Sequence, residues 1–162
     1  MSSCRQSAPL PSRHGCEYQN QNYLMTTTEC PDERDLPKKA VSAHEIQTAM
    51  EQSGCLFPVI VLDCCRVFEG MTRSTRAPSK GMAKMQPQGS FVAFACAPNK
   101  CALDGQGANG TFTTALLEHI GTPALDLDIV MRRVRNDVEK ASGGYQTPWT
   151  NHTLKVDTAC LA

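Results

Sequence analysis

Val59-Ile60-Val61-Leu62 is an uninterrupted, largely β-branched apolar run set between Pro58 and Asp63. Such a run leaves no position for water, which suits a strand buried on both faces, as in a parallel sheet covered by helices. Residues 91–97 read as a second strand of the same kind. Ser42-Ala43-His44-Glu45 has the form of a capping box, in which the hydroxyl and the carboxylate satisfy backbone donors at a helix start. Ile46, Ala49 and Met50 then share one face and Gly54 supplies a stop, predicting a helix over 43–52. Residues 111–120, approached through Asn109-Gly110, read as another helix. Over 126–141, Leu127, Val130, Met131, Val134, Val138 and Ala141 keep helical spacing, and Gly143-Gly144 closes the element. Asn22-Tyr23-Leu24-Met25 offers a short strand before an exposed loop through Pro31 and residues 32–35. Strands alternating with helices predict an α/β fold with a mainly parallel sheet.

Charge excludes several functions. Sixteen basic side chains balance sixteen acidic ones, so no overall field holds a nucleic-acid backbone or an anionic membrane, and neither is expected as a partner. The longest nearly unbroken apolar run, 55–62, is interrupted by Pro58 and falls far short of the ~18 residues that a bilayer crossing needs. Residues 1–13 contain Arg5, Pro9, Pro11 and Arg13 without an apolar stretch, which predicts an unstructured tail, no secretory signal and a cytoplasmic location. Nine cysteines at irregular spacing then read as reduced thiols. Residues 71–88 hold Arg73, Arg76, Lys80 and Lys84 with no apolar period, predicting a solvated basic loop. Residues 158–162 read as a closing tail.

In open α/β sheets ligands sit beyond the carboxyl ends of the strands. Cys65 is placed there by the first strand, and a thiol becomes a nucleophile when a neighbouring histidine, cation or backbone amide favours its thiolate. Taken alone, Cys64-Cys65 equally fits packing at a strand end.

Further residues carry a resemblance. His14-Gly15 lies 51 residues before Cys65, close to the spacing of about 50 between histidine and nucleophile in caspases. Asp63-Cys64-Cys65-Arg66 has the Asp-x-Cys-Arg pattern of paracaspases and of bacterial or algal caspase-like proteins. His14-Gly15-Cys16, Asn22-Tyr23-Leu24, Asp35-Leu36, Ala40-Val41-Ser42, Asp104-Gly105, Asn109-Gly110 and Gly143-Gly144-x-Gln146-x-Pro148-Trp149 follow that family in order. The chain is therefore identified as a member of the C14 caspase-like cysteine peptidases, over roughly 14–154.

The resemblance implies a caspase-like three-layer sandwich with a mainly parallel sheet. Residues 14–157 would form the peptidase domain, incomplete at the amino-terminal side because strands that the family places before the histidine are replaced by the tail. A chain so shortened is expected to be poorly stable or inactive. His14 would take the thiol proton, Cys65 would attack the scissile carbonyl, and the amides of Gly15 and Cys65 would form the oxyanion hole. Asp63 and Asp104 would line an acidic pocket selecting arginine, less efficiently lysine, and not aspartate. Trp149 would be either a core anchor or part of the groove wall. The substrate would be a peptide or protein, with a homodimer as a further partner and self-cleavage in the basic loop as a further event. No cofactor is expected; the calcium requirement of some metacaspases is not readable from these residues. The rival readings are a catalytically inactive or truncated relative that binds partners through the same groove, and a gene-model fragment with no independent function.

Other features have plainer readings. Cys96 and Cys101 form one C-x₄-C pair without a matching second pair, so no zinc or other metal site is expected. His44 reads as exposed in a first helical turn, His119 as a helix-end cation and His152 as part of a polar loop. Gly105-x-Gly107-x-x-Gly110 lacks the preceding strand of a dinucleotide fingerprint and reads as a loop.

Overall fold

The computed structural model describes residues 15–19, 21–25, 33–55, 57–64, 85, 87–98, 100, 102–103, 105 and 107–162. The apolar run forms strand β4 (Val59–Leu62), which lies parallel to β5 (Phe91–Phe94), with Val59 opposite Phe91 and Leu62 opposite Phe94. On its other side β5 pairs antiparallel with β6 (Trp149–His152). β5 is buried throughout, and its alternating side chains serve two cores. Phe91, Ala93 and the following Ala95 pack against α3 (Thr111–His119) and α4 (Leu127–Ala141). Val92 and Phe94 join Ile60, Leu62, Met85 and, from α2 (Ala43–Gln52), Ala43 on the opposite face.

Two sheet expectations are corrected. The described strands do not make a mainly parallel sheet: β4–β5 is their parallel pair, and the remaining pairings are antiparallel. Between β5 and β6 the chain makes an even number of helical passes, α3 and α4, and so returns to the end of β5 that it left; β6 must then run the other way. Nor is β4 buried on both faces, since Val61 is 39% exposed while Val59 reaches the α3–α4 core.

The helices form where caps and stops are encoded. Ser42 Oγ accepts a hydrogen bond from Glu45 N at 3.2 Å at the start of α2, and Gly54 follows its end at φ +77°. Its inward face differs from the expected stripe: Ala43 and Gln47 are buried while Ala49 is exposed. Buried Gln47 is accommodated because its Nε2 donates to Glu51 at 2.9 Å and to Ser90 at 3.3 Å. In α4, Leu127, Val130, Met131, Val134 and Val138 are buried as spaced, whereas Ala141 is exposed. Gly143 and Gly144, at φ +61° and +84°, end the helix, with Gly144 N donating to Glu139 O at 2.8 Å in a Schellman closure.

A second sheet was foreshadowed only at its middle strand. β1 (Gly15–Tyr18) and β2 (Gln21–Leu24) form a hairpin, and β2 also pairs antiparallel with β3 (Val41–Ser42). The expected loop at 32–35 instead contains a 3-10 turn, Glu33–Asp35, leading into the short helix α1 (Leu36–Lys39). Pro37 pre-sets that helix start and fully buried Leu36 anchors it beside Tyr23 and Met25.

Two further segments are better held than expected. Met85 and Pro87, in the basic loop, are buried, and their carbonyls accept from Asn151 Nδ2 and Thr153 Oγ1, each at 2.7 Å. The remainder of that loop, 71–84 with its four basic side chains, lies outside the described residues. The closing segment 158–162 is no loose tail: Ala159 is buried, its carbonyl accepts from Leu127 N at 2.8 Å and its amide donates to Asp126 Oδ2 at 3.0 Å. Among the described residues no helix is long and apolar enough to cross a membrane.

Candidate functional site

Leu62, Phe94 and Trp149 stand in one row across β4, β5 and β6. Asp63, which follows Leu62, and Trp149 therefore meet the same rim of the sheet, two strand spacings or about 10 Å apart along that row. Asp63 is partly buried, and the hydroxyl of Thr113, in the first turn of α3, donates a hydrogen bond to its Oδ2. A helix start is a favourable neighbour for a carboxylate, because its unpaired amides carry partial positive charge. Trp149 is 40% exposed, so it is not a core anchor but an aromatic surface on this rim.

The loop that delivers α3 is fixed by a buried amide. Gln146, which water does not reach, donates from Nε2 to Ala95 O at 2.9 Å and accepts at Oε1 from Leu103 N at 2.9 Å. Its own amide donates to Ser142 Oγ at 3.1 Å. Its side chain thus joins the carboxyl end of β5 to the loop at Leu103, while its backbone amide holds the turn after α4. That loop is closed by Thr111 N donating to Leu103 O at 3.2 Å. Gly105 turns it at φ +71°, where a Cβ would stand 2.9 Å from Asn109 O, so only glycine fits.

Of the residues predicted for the site, Asp63 and Trp149 are brought to one rim. Gly15 is buried at the start of β1, opposite Leu24. His14, Cys65 and Asp104 lie outside the described residues, and so does the geometry of the Cys/His pair and of the oxyanion amide at Cys65. Cys64, immediately before the predicted nucleophile, is buried in the core shared with α2. Thr113 and Gln146 were not foreseen as site residues. Their signals were a threonine-rich helix start and a glutamine within a polar motif, neither of which names a partner.

The remaining histidines are placed as follows. His44 is exposed in α2. His119 ends α3 as expected, with Nε2 2.6 Å from Asp137 Oδ2. Glu118 adds a third ligand-type atom within 4.8 Å of these two, beside a cleft of about 590 Å³ between α3, α4 and the loop at 105–109. His152 is in strand β6 and not in a loop; its ring stacks on Phe91 with centroids 4.9 Å apart, and Nε2 is 3.2 Å from Asp128 Oδ1. Cys96 donates to Lys100 O at 3.0 Å, while its C-x₄-C companion Cys101 is outside the described residues.

A parallel strand pair with helices packed on both of its faces is the setting of an α/β domain. A family model for the caspase domain, of peptidase family C14, matches residues 12–158, and the chain belongs to that family. No curated protein matches it. At family level the chemistry is that of a cysteine peptidase, whose substrate is a polypeptide.

Proposed function

We propose that the chain is an endopeptidase that cuts polypeptides after arginine, less readily after lysine and not after aspartate, with His14 and Cys65 as its catalytic pair. The observation that carries this reading is Asp63: a carboxylate at the sheet rim, two residues before Cys65, anchored by Thr113 and sharing its rim with an exposed indole. A guanidinium satisfies such a carboxylate with two parallel hydrogen bonds, and an ammonium with a single point charge. Asp104 supplies the second acid; the amide of Leu103, the residue before it, donates to Gln146.

The chemistry is acyl transfer. His14 accepts the thiol proton, the Cys65 sulfur attacks the scissile carbonyl, and the oxyanion takes hydrogen bonds from the amides of Gly15 and Cys65. His14 then gives the proton to the leaving amine, and water cleaves the resulting thioester.

Peptides differing only in the residue before the cleaved bond test the proposal. The expected order of kcat/KM is Arg, then Lys, with Asp uncut, and Cys65→Ala or His14→Ala abolishes turnover. Asp63→Asn should lower the arginine rate constant by about 10- to 100-fold, the worth of one charge-assisted contact. Preference for the aspartyl peptide would overturn the assignment.

A further inference from the structure

We infer that Thr113 is a specificity-positioning residue, whose hydroxyl sets the plane of the Asp63 carboxylate and thereby favours arginine over lysine. The inference rests on the reading of Asp63 as the pocket acid and goes beyond it by giving the pocket its discrimination.

The terminal torsion of an aspartate is broad and roughly two-fold, so an isolated carboxylate swings between orientations. Asp63 is not isolated, because Thr113 donates to its Oδ2. The donor is itself well fixed. Its side chain is β-branched and stiff at χ1, and its neighbour Phe112 is fully buried, with Ala115 and Leu116 further along α3 in the same core. These contacts set the rotation of α3 about its axis, and hence where the hydroxyl of Thr113 emerges. The hydroxyl of Thr113 is spent across fifty positions on Asp63.

Arginine and lysine feel such anchoring unequally. A guanidinium is a planar fork whose two donors reward a carboxylate in one plane, while an ammonium has three rotatable donors and follows the charge wherever the oxygens turn. Loss of the hydroxyl should therefore weaken arginine much more than lysine. Loss of the carboxylate should weaken both.

The test compares the full chain with its Asp63→Asn, Thr113→Val and Thr113→Ser variants. Binding of N-acetyl-argininamide and N-acetyl-lysinamide is measured by NMR titration, and kcat and KM are measured on the matching coumarin amides. Thr113→Val should weaken arginine binding and raise its KM about tenfold, the loss expected for one hydrogen bond to a charged group, with kcat within about twofold. Lysine should change less than about threefold, and Thr113→Ser should restore the arginine value. If Asp63→Asn weakens both ligands but Thr113→Val leaves arginine unchanged, or lowers both equally without rescue by serine, the inference fails and the pocket reading stands. If the unaltered chain shows no preference for either ligand that Asp63→Asn removes, the pocket reading fails and takes the inference with it.

Discussion

The strand that leads to Asp63 and the strand that starts at Gly15 are supported in different ways. β4 pairs with a fully buried neighbour, β5, which has a second strand beyond it and apolar cores on both faces. β1 belongs to a hairpin of four-residue strands, completed by the two-residue β3, whose own buried cluster is Tyr23, Met25 and Leu36. Regions with few buried apolar contacts open locally at lower free energy than a large core. The rim that carries Asp63 and Trp149 thus rests on the stiff part of the molecule, and Gly15 rests on a lighter module. The two are joined through α2, where Glu51 Oε1 accepts from Ser90 Oγ at 2.6 Å, from Gln88 N at 2.9 Å and from Gln47 Nε2 at 2.9 Å.

The largest effect should come from cutting the polar tie inside the stiff part. Gln146→Leu keeps the volume but leaves the buried Ala95 O without its partner, at about 1–3 kcal/mol, and frees the amide of the exposed Leu103. Because the damage lies in the main core, all probes of urea unfolding should shift together. Peptidase activity should fall further than the stability loss accounts for, since the backbone on either side of position 104 is released. A variant with an unchanged urea midpoint would mean that the two regions do not differ as described.

Glu51→Ala should separate the regions more gently. Burial pushes the Glu51 carboxyl toward a higher pKa, but the hydrogen bonds from Ser90, Gln47 and the Gln88 amide outweigh it and hold the group below its ordinary value. Removing the carboxylate should cost about 1–2 kcal/mol, its open side being screened by water. Hydrogen exchange is the sharper readout: amides of α2, β2 and β3 should exchange faster while those of β5 and α4 keep their protection. Uniform acceleration across the chain would show a single cooperative unit.

The same contrast explains what could be read from the residues alone. α2, β4, β5, α3 and α4 follow local signals: a capping serine, β-branched runs, a glycine pair, helical spacing. Trp149-Thr150-Asn151-His152 has no such signal and becomes β6 only because β5 offers it an edge. β1 and β3 are likewise made by pairing with β2. At the site, the place of Asp63 followed from its position at the end of an apolar strand. Its partner Thr113 is 50 positions away and the partners of Gln146 are 43 and 51 away, distances over which a side-chain contact leaves no periodic trace.

The smallest expected effect is a pH dependence within the stiff region. Asp126 caps α4, accepting from Asp128 N at 2.9 Å, and also holds the closing segment through Ala159 N at 3.0 Å. The Ala159 amide, aided by the Asp128 amide and against the opposing pull of burial, keeps its carboxyl below the ordinary carboxylate range. In the unfolded chain the group titrates at about pH 4. As the pH falls the unfolded state therefore takes up its proton first, and the stabilisation, complete above that pH, is lost as the pH drops through the lower native value. Asp126→Asn loses the charge and keeps only one accepting oxygen, its NH2 group being unable to accept from the second backbone amide, so it should cost about 1 kcal/mol at pH 7. Urea midpoints of the two proteins should begin to converge as the pH falls below about 4 and meet once it has passed the lower native value. A gap that stays constant down to that acidity would mean that the ionised carboxylate does not hold the closing segment to α4.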